Sequence, residues 1–311
     1  MKKIIYFIIL TLFISLSSCQ TQPQVKDAGK INIVATIFPE YDFARAIAKD
    51  KVNLSMLMPP GASIHSFDPS PADIKNIQNA DIFIYIGGES DEWASNILES
   101  FDTTKMKIVK LLDYVNKEEE EIKEGMEEEK HEEHELSYDE HIWTSPKNAL
   151  RLIEVIRDAI IEKDPENREF YTENAQSYQD ELKDISNEIQ NIVSDAKHKK
   201  IIVADKFPFL YFVNHYGLDY EAAFPGCSDQ ADAGAKTIAH LVNSVKTEGI
   251  SYIYHVELSN KNVAEAISEQ TGAEMLLLNS CHNLSREDFE KGVTYLSLMK
   301  DNAENLRKGL N

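Results

Sequence analysis

Pro165–Lys197 reads PENREFYTENAQSYQDELKDISNEIQNIVSDAK. Within it Tyr171, Ala175, Tyr178, Leu182, Ile185, Ile189 and Ile192 recur at alternating steps of four and three. That spacing is one apolar seam along a helix, with charge on the other faces. Asp164 stands where a cap belongs, and Pro165 suits a first turn. At 1.5 Å rise per residue the helix extends about 50 Å, long for a globular protein. A coiled-coil partner is the competing reading, but the seam lasts only about four heptads. The flanks on both sides alternate short strands and helices. The expected fold is therefore α/β: two lobes of parallel sheet with flanking helices, joined by one long rigid spine helix over 164–197, with a cleft between them.

Working outward, the N-terminal lobe is expected over 31–163 and the C-terminal lobe over 198–311. In the first, Ile31–Ile37, Val52–Met58, Asp81–Gly87 and Lys107–Leu112 read as strands rich in β-branched residues. Phe38-Pro39 ends the first strand, and helices follow at Tyr41–Lys49, Pro71–Ala80 (capped by Ser70), Asp91–Ser100 and Ser145–Lys163. The second lobe repeats the rhythm. Its strands are Lys200–Ala204, Leu218–Ala223, Ile250–Val256 and Glu274–Leu278, and a single closing helix is expected over Arg286–Leu310. Alternation of this kind predicts parallel sheets with helices on their faces. Residues 115–138 break the pattern. Glu118–Glu135 holds eleven glutamates against Lys123 and Lys130, so a solvated, mobile loop is expected.

The first residues read as a signal peptide over 1–18: Lys2 and Lys3, the apolar run Ile4–Ile14, then Leu16-Ser17-Ser18-Cys19. The run is short for a membrane span. The ending resembles a bacterial lipobox, which implies lipidation of Cys19 and a lipid-anchored tether over 19–30. Net charge is −21, which argues against nucleic acid and anionic membrane surfaces as partners. Cys227 and Cys281 remain; a disulfide and two buried thiols are equally compatible with sequence alone.

Ligands of α/β sheets gather beyond the carboxyl ends of the strands. His65 falls there in the first half, and His141 follows the acidic loop. In the second half Asp205 and Lys206, then Glu257, then Asn279, Ser280, Cys281 and His282 fall there. Imidazole with carboxylate suits zinc and tolerates manganese or iron. Each also has a plain alternative as a loop residue, a cap or an ion-pair partner.

The loop Pro59–Asp73, PPGASIHSFDPSPAD, and the segment DEHIWTSP around His141 resemble motifs of the zinc/manganese-binding proteins of bacterial ABC importers. In that family a Pro-Pro-Gly-x-x-x-His-x-Phe-x-Pro-[Ser/Thr]-Pro-x-Asp loop carries the first metal histidine; His65 matches it. His141 matches the second. Tyr216-Gly217-Leu218 and VAEAISEQTG (Val263–Gly272) also match, so the resemblance covers nearly all of the mature chain. The family's third ligand position is Lys206 here, which cannot ligate while protonated; its neighbour Asp205 is preferred. The fourth falls near Asn279, with His282 close by. The resemblance thus implies a metal set of His65, His141, Asp205 and His282, with Glu257 and Asn279 in reserve. The acidic loop resembles the His/Glu-rich insertion of zinc-type members, which implies accessory metal binding at His131 and His134.

The function implied is an extracytoplasmic, monomeric, lipid-anchored binding protein that captures Zn2+ (alternatively Mn2+) in the inter-lobe cleft and delivers it to an ABC-transporter permease. Two other classes compete: a zinc hydrolase with a three-ligand site and Glu257 as base, and a surface adhesin. The hydrolase lacks a His-Glu-x-x-His or Gly-x-Ser-x-Gly motif.

Overall fold

The structure, a computed structural model, describes residues 29–62, 67–127, 138–226 and 232–311. Cys19, His65, His131, His134 and Cys227 lie outside the described residues.

The apolar seam is the buried face of helix α5 (Arg168–Asp195), in which all seven of its residues are buried. The helix starts later than expected. Pro165–Asn167 form a 3-10 turn, and Asp164 does not cap α5. Its carboxylate accepts instead from Tyr171 Oη at 2.5 Å and Asn167 Nδ2 at 2.8 Å. Around α5 stand two four-stranded parallel sheets. The first has the order β2-β1-β3-β4: β1 Asn32–Ala35, β2 Asn53–Met56, β3 Ile82–Tyr85 and β4 Lys107–Lys110. The second has the order β6-β5-β7-β8: β5 Lys200–Lys206, β6 Asp219–Phe224, β7 Tyr252–His255 and β8 Glu274–Leu277. Among the described residues no helix is long and apolar enough to cross a membrane.

Helices α1 (Phe38–Ala48), α2 (Pro71–Gln78), α3 (Glu92–Leu98) and α4 (Pro146–Lys163) accompany the first sheet. The first strand is not followed by a break: α1 begins at Phe38, and Pro39 sits in its first turn, where a missing N–H costs nothing. Ser70 caps α2 as expected, exchanging bonds with Asp73. The second sheet carries α6 (Leu210–Tyr216), α7 (Ala235–Glu248) and α8 (Asn262–Thr271), the last stopped by Gly272 at φ +79°. The single closing helix is in fact two, α9 (Arg286–Glu290) and α10 (Tyr295–Gly309). Thr294 restarts the chain with a capping box to Ser297.

One hydrophobic core runs from Ile33 and Phe43, through α4 and α5, to Phe212, Tyr295 and Leu306. Polar bonds tie α5 to both halves. Tyr178 Oη donates to Asp42 Oδ2 at 2.7 Å, and the Tyr295 N–H donates to the same oxygen at 2.9 Å. Ser186 Oγ and Tyr216 Oη lie 3.0 Å apart. Residues 31–311 form one compact unit.

The first part of the acidic stretch is not a solvated loop. Residues 118–127 lie as a strap on the edge of the second sheet. Glu118 N–H donates to Tyr211 Oη at 3.0 Å, and Glu127 N–H donates to Ala223 O at 2.9 Å. Lys123 Nζ sits 3.0 Å from Asp219 Oδ1 and 3.9 Å from the Tyr220 ring centre. Met126 is buried. Gly125, at φ +94°, passes so close to His240 that a Cβ would stand 2.2 Å from its ring. Charge composition alone hides these contacts, because one lysine, one methionine and one glycine decide them.

Candidate metal site

His141 follows the strap and precedes a 3-10 turn at Ile142–Thr144. It is almost fully buried. Asp139 Oδ1 accepts from the His141 N–H at 2.7 Å and lies 3.1 Å from His141 Nδ1. An ionised carboxylate only accepts, so Nδ1 carries the proton and Nε2 keeps its lone pair for an acceptor or ligand role. Burial pushes the His141 pKa down, but the Asp139 carboxylate, with the Glu140 and Glu120 charges, outweighs it and lifts the imidazole above the usual histidine range. Asp139 is itself held by Tyr211, whose hydroxyl donates to its carbonyl at 3.0 Å.

The second half brings His282 to the same place. The His141 and His282 ring centres lie 5.9 Å apart, with the planes at 84°. A zinc-bound imidazole has its centre about 3.2 Å from the ion, given a Zn–N distance near 2.1 Å. Two such rings at a tetrahedral angle would then be about 5.2 Å apart. The observed spacing is close to that geometry. Trp143 packs 5.4 Å from His141 and 5.3 Å from His282 between ring centres. Its Nε1 donates to Ser280 O at 2.8 Å, and its carbonyl accepts from Tyr295 Oη at 2.7 Å. Gly226 closes another side: a Cβ there would lie 2.9 Å from Phe207 O and 3.3 Å from His141 Cε1.

Glu257, a reserve ligand, is used otherwise. Its oxygens accept from Ser280 N–H at 2.7 Å, Ser280 Oγ at 2.5 Å and His282 N–H at 3.1 Å. Burial raises its pKa. Glu257 thus holds the backbone that carries His282. Asn279, the other reserve, spends Oδ1 on the Cys281 N–H at 2.7 Å, while its own backbone pairs with the Asn302 side chain. Cys281 is a buried thiol in the left-handed region at φ +60°, and Cys227, its candidate partner, lies outside the described residues. Asp205 is the penultimate residue of β5, and its carboxylate accepts from Lys206 N–H at 2.9 Å and Val256 N–H at 3.3 Å. Among the described residues no three His, Cys, Asp or Glu side chains converge to hold an ion. The structure therefore joins His141 to His282 and leaves Asp205 in backbone bonds.

Sequence reasoning used Asp139 and Trp143 only as motif neighbours of His141 and gave them no role, and it missed Gly226. The role of Asp139 carried a signal: an Asp two residues before a loop His forms an Asx turn and can face its ring.

The family model described as "ZnuA: Zinc-uptake complex component A periplasmic" matches residues 33–309. The zinc-binding lipoprotein AdcA of Streptococcus pneumoniae is 32% identical over 312 residues, covering 99% of this chain and 61% of that protein. The chain thus spans 61% of the length of that curated relative. The high-affinity zinc uptake system protein ZnuA of Bacillus subtilis is 31% identical over 318 residues, covering 98% of this chain and 96% of that protein. The crystal structure of the Zn(II)-bound ZnuA-like domain of Streptococcus pneumoniae AdcA matches with a TM-score of 0.75 and 30% identity, over 91% of this chain and 99% of that one.

Proposed function

The chain belongs to the ZnuA family of zinc-uptake components, and from that premise we propose that it is an extracytoplasmic solute-binding lipoprotein that captures Zn2+ and passes it to an ABC permease. The observation that carries the reading is the edge-to-face pair His141–His282, one ring from each half, 5.9 Å between centres. His65, His141 and His282 supply nitrogen, and Asp205 supplies oxygen after leaving its backbone donors. A nitrogen-rich set favours Zn2+ over Mn2+. Residues 1–18 serve as a signal peptide, Cys19 takes the lipid, and 19–30 form the tether. The protein acts as a monomer, with His131 and His134 as accessory metal binders. The hydrolase reading loses its base, since both Glu257 oxygens accept bonds from the His282 loop.

Calorimetry on the metal-stripped soluble protein tests this. Zinc is expected to bind with submicromolar affinity, and His141→Ala and His282→Ala to weaken it at least about 100-fold each (roughly 2.7 kcal/mol). Absence of tight zinc binding overturns the function; unchanged affinity in both variants overturns the site.

A further inference from the structure

The loop that carries His282 is held from three sides. Glu257 accepts from the Ser280 and His282 N–H groups and from Ser280 Oγ. Asn283 Nδ2 donates to Pro59 O at 3.0 Å and Ala62 O at 2.8 Å, both in the first half of the chain. The third hold is Trp143, which belongs to the His141 segment and donates through Nε1 to Ser280 O at 2.8 Å. Of the three, only Trp143 also stacks a ring against both imidazoles, 5.4 Å from His141 and 5.3 Å from His282 between centres.

Trp143 is itself tied down. Its carbonyl accepts from Tyr295 Oη at 2.7 Å. The Tyr295 N–H donates to Asp42 Oδ2 at 2.9 Å, and Tyr178 Oη of α5 donates to the same oxygen at 2.7 Å. Arg45 Nε donates to the other Asp42 oxygen at 3.1 Å. Tyr178, Asp42, Tyr295, Trp143 and Ser280 are all buried. A chain of contacts thus runs from α5 to the His282 loop. It crosses between the halves at Asp42–Tyr295, at Tyr295–Trp143 and at Trp143–Ser280. Satisfied polar networks shielded from water rigidify the groups they join.

We propose that Trp143 is a positioning residue: its indole sets the spacing of the His141 and His282 imidazoles before an ion arrives, and so favours ions that accept an open, tetrahedral angle. This rests on the zinc reading of the site. The two ring centres stand 5.9 Å apart. Imidazoles sharing a tetrahedral ion need about 5.2 Å, and at the 90° angle of an octahedral ion about 4.5 Å. An octahedral ion must therefore draw the rings in about twice as far as a tetrahedral one. Both rings rest on the indole, and a close-packed interior resists such a shift. The donor atoms favour Zn2+ over Mn2+ by their chemistry; Trp143 adds a preference set by geometry.

The test compares the parent with Trp143→Phe, which keeps a ring against both imidazoles and removes the bond to Ser280. Two readouts are taken on the soluble protein. In the metal-free protein with isotope-labelled histidine, a nuclear Overhauser contact between the His141 and His282 ring protons is expected in the parent and lost in the variant. In the loaded protein, Co2+ serves as the visible probe. The intense absorption of a tetrahedral Co2+ site is expected in the parent, and the weak octahedral pattern in the variant. Zinc affinity is expected to fall about tenfold in the variant, with manganese affinity held within about twofold. Leu182→Ala, which weakens the α5 seam, is expected to lower Tm and leave both readouts at the parent values, so lost stability alone does not imitate the effect. Tyr295→Phe removes only the bond to the Trp143 carbonyl; it is expected to weaken zinc binding about threefold, and it serves if Trp143→Phe unfolds. A parent that binds no zinc strikes the zinc reading, and the contact in the metal-free protein then decides the positioning by itself. A contact missing from the metal-free parent, or unchanged in Trp143→Phe, overturns the proposal. So does a lost contact with an unchanged Co2+ spectrum and zinc-to-manganese ratio, because the ion would then set its own spacing.

Discussion

His141 and Asp139 share one turn of backbone, and the carboxylate decides which imidazole nitrogen is left for an ion. Removing its charge while keeping its shape isolates that effect. Asp139→Asn is expected to weaken zinc binding about tenfold, the low end for a partner behind a metal-binding His, with little change in Tm. Competition against a chelator of known affinity measures it, and an unchanged constant would show that Asp139 does not tune the ring. At this scale the sequence was half legible. His141 could be found because a His beside Ile-Trp after an acidic run is a recognisable pattern. The partners of His282 could not, because Trp143 and Glu257 lie far from it in sequence and are joined to it only by folding. Asn279 looked like a donor for metal; a short polar side chain in a tight turn more readily bonds the backbone two residues on, as it does to Cys281.

α5 is the element on which both halves are packed. Leu182 is fully buried in its seam, and Asp184 is exposed on the far side. Leu182→Ala is expected to cost about 2–5 kcal/mol in urea denaturation, and Asp184→Ala less than about 0.5. Equal, small losses would mean that the seam does not carry the fold. The seam was readable because seven residues share one period. The ends of elements were less so. Asp164 looks like a cap, but Tyr171 one helical repeat away competes for its carboxylate and wins. The closing segment divides because Gly292 and Thr294, a breaker and a cap, outweigh the helix-forming residues around them.

Across the whole molecule, buried acids set the pH response. Asp91 is almost fully buried beyond the carboxyl end of β3, and Oδ2 accepts from the Ile86 and Gly87 N–H groups. Burial lifts its pKa to about 7. Glu40 is raised in the same direction, by burial first and by the Asp91 charge second. The folded chain therefore keeps protons that the unfolded chain has released above about pH 4. The stability present in acid is lost as pH rises through about 7. Asp91→Asn removes one such proton and is expected to flatten the fall of Tm between pH 5 and pH 8. A slope as steep as the parent's would assign the pH response to other groups. Two parallel sheets could be expected from alternating strands and helices. Buried acids just past β1 and β3 of the first sheet could not, since Glu40 and Asp91 look like ordinary surface positions of helix starts.

The strap has a consequence for how the polypeptide is made. Its partners lie about a hundred positions downstream: Tyr211 is 93 residues from Glu118, Asp219 is 96 from Lys123, and Gly234 is 107 from Glu127. During synthesis the strap emerges well before anything it can rest on. It must wait, dissolved by its own glutamates, until the second sheet exists. His141, further along the chain, takes its final surroundings only after the ribosome has delivered His282, so the nascent first half on its own offers an ion an incomplete nest.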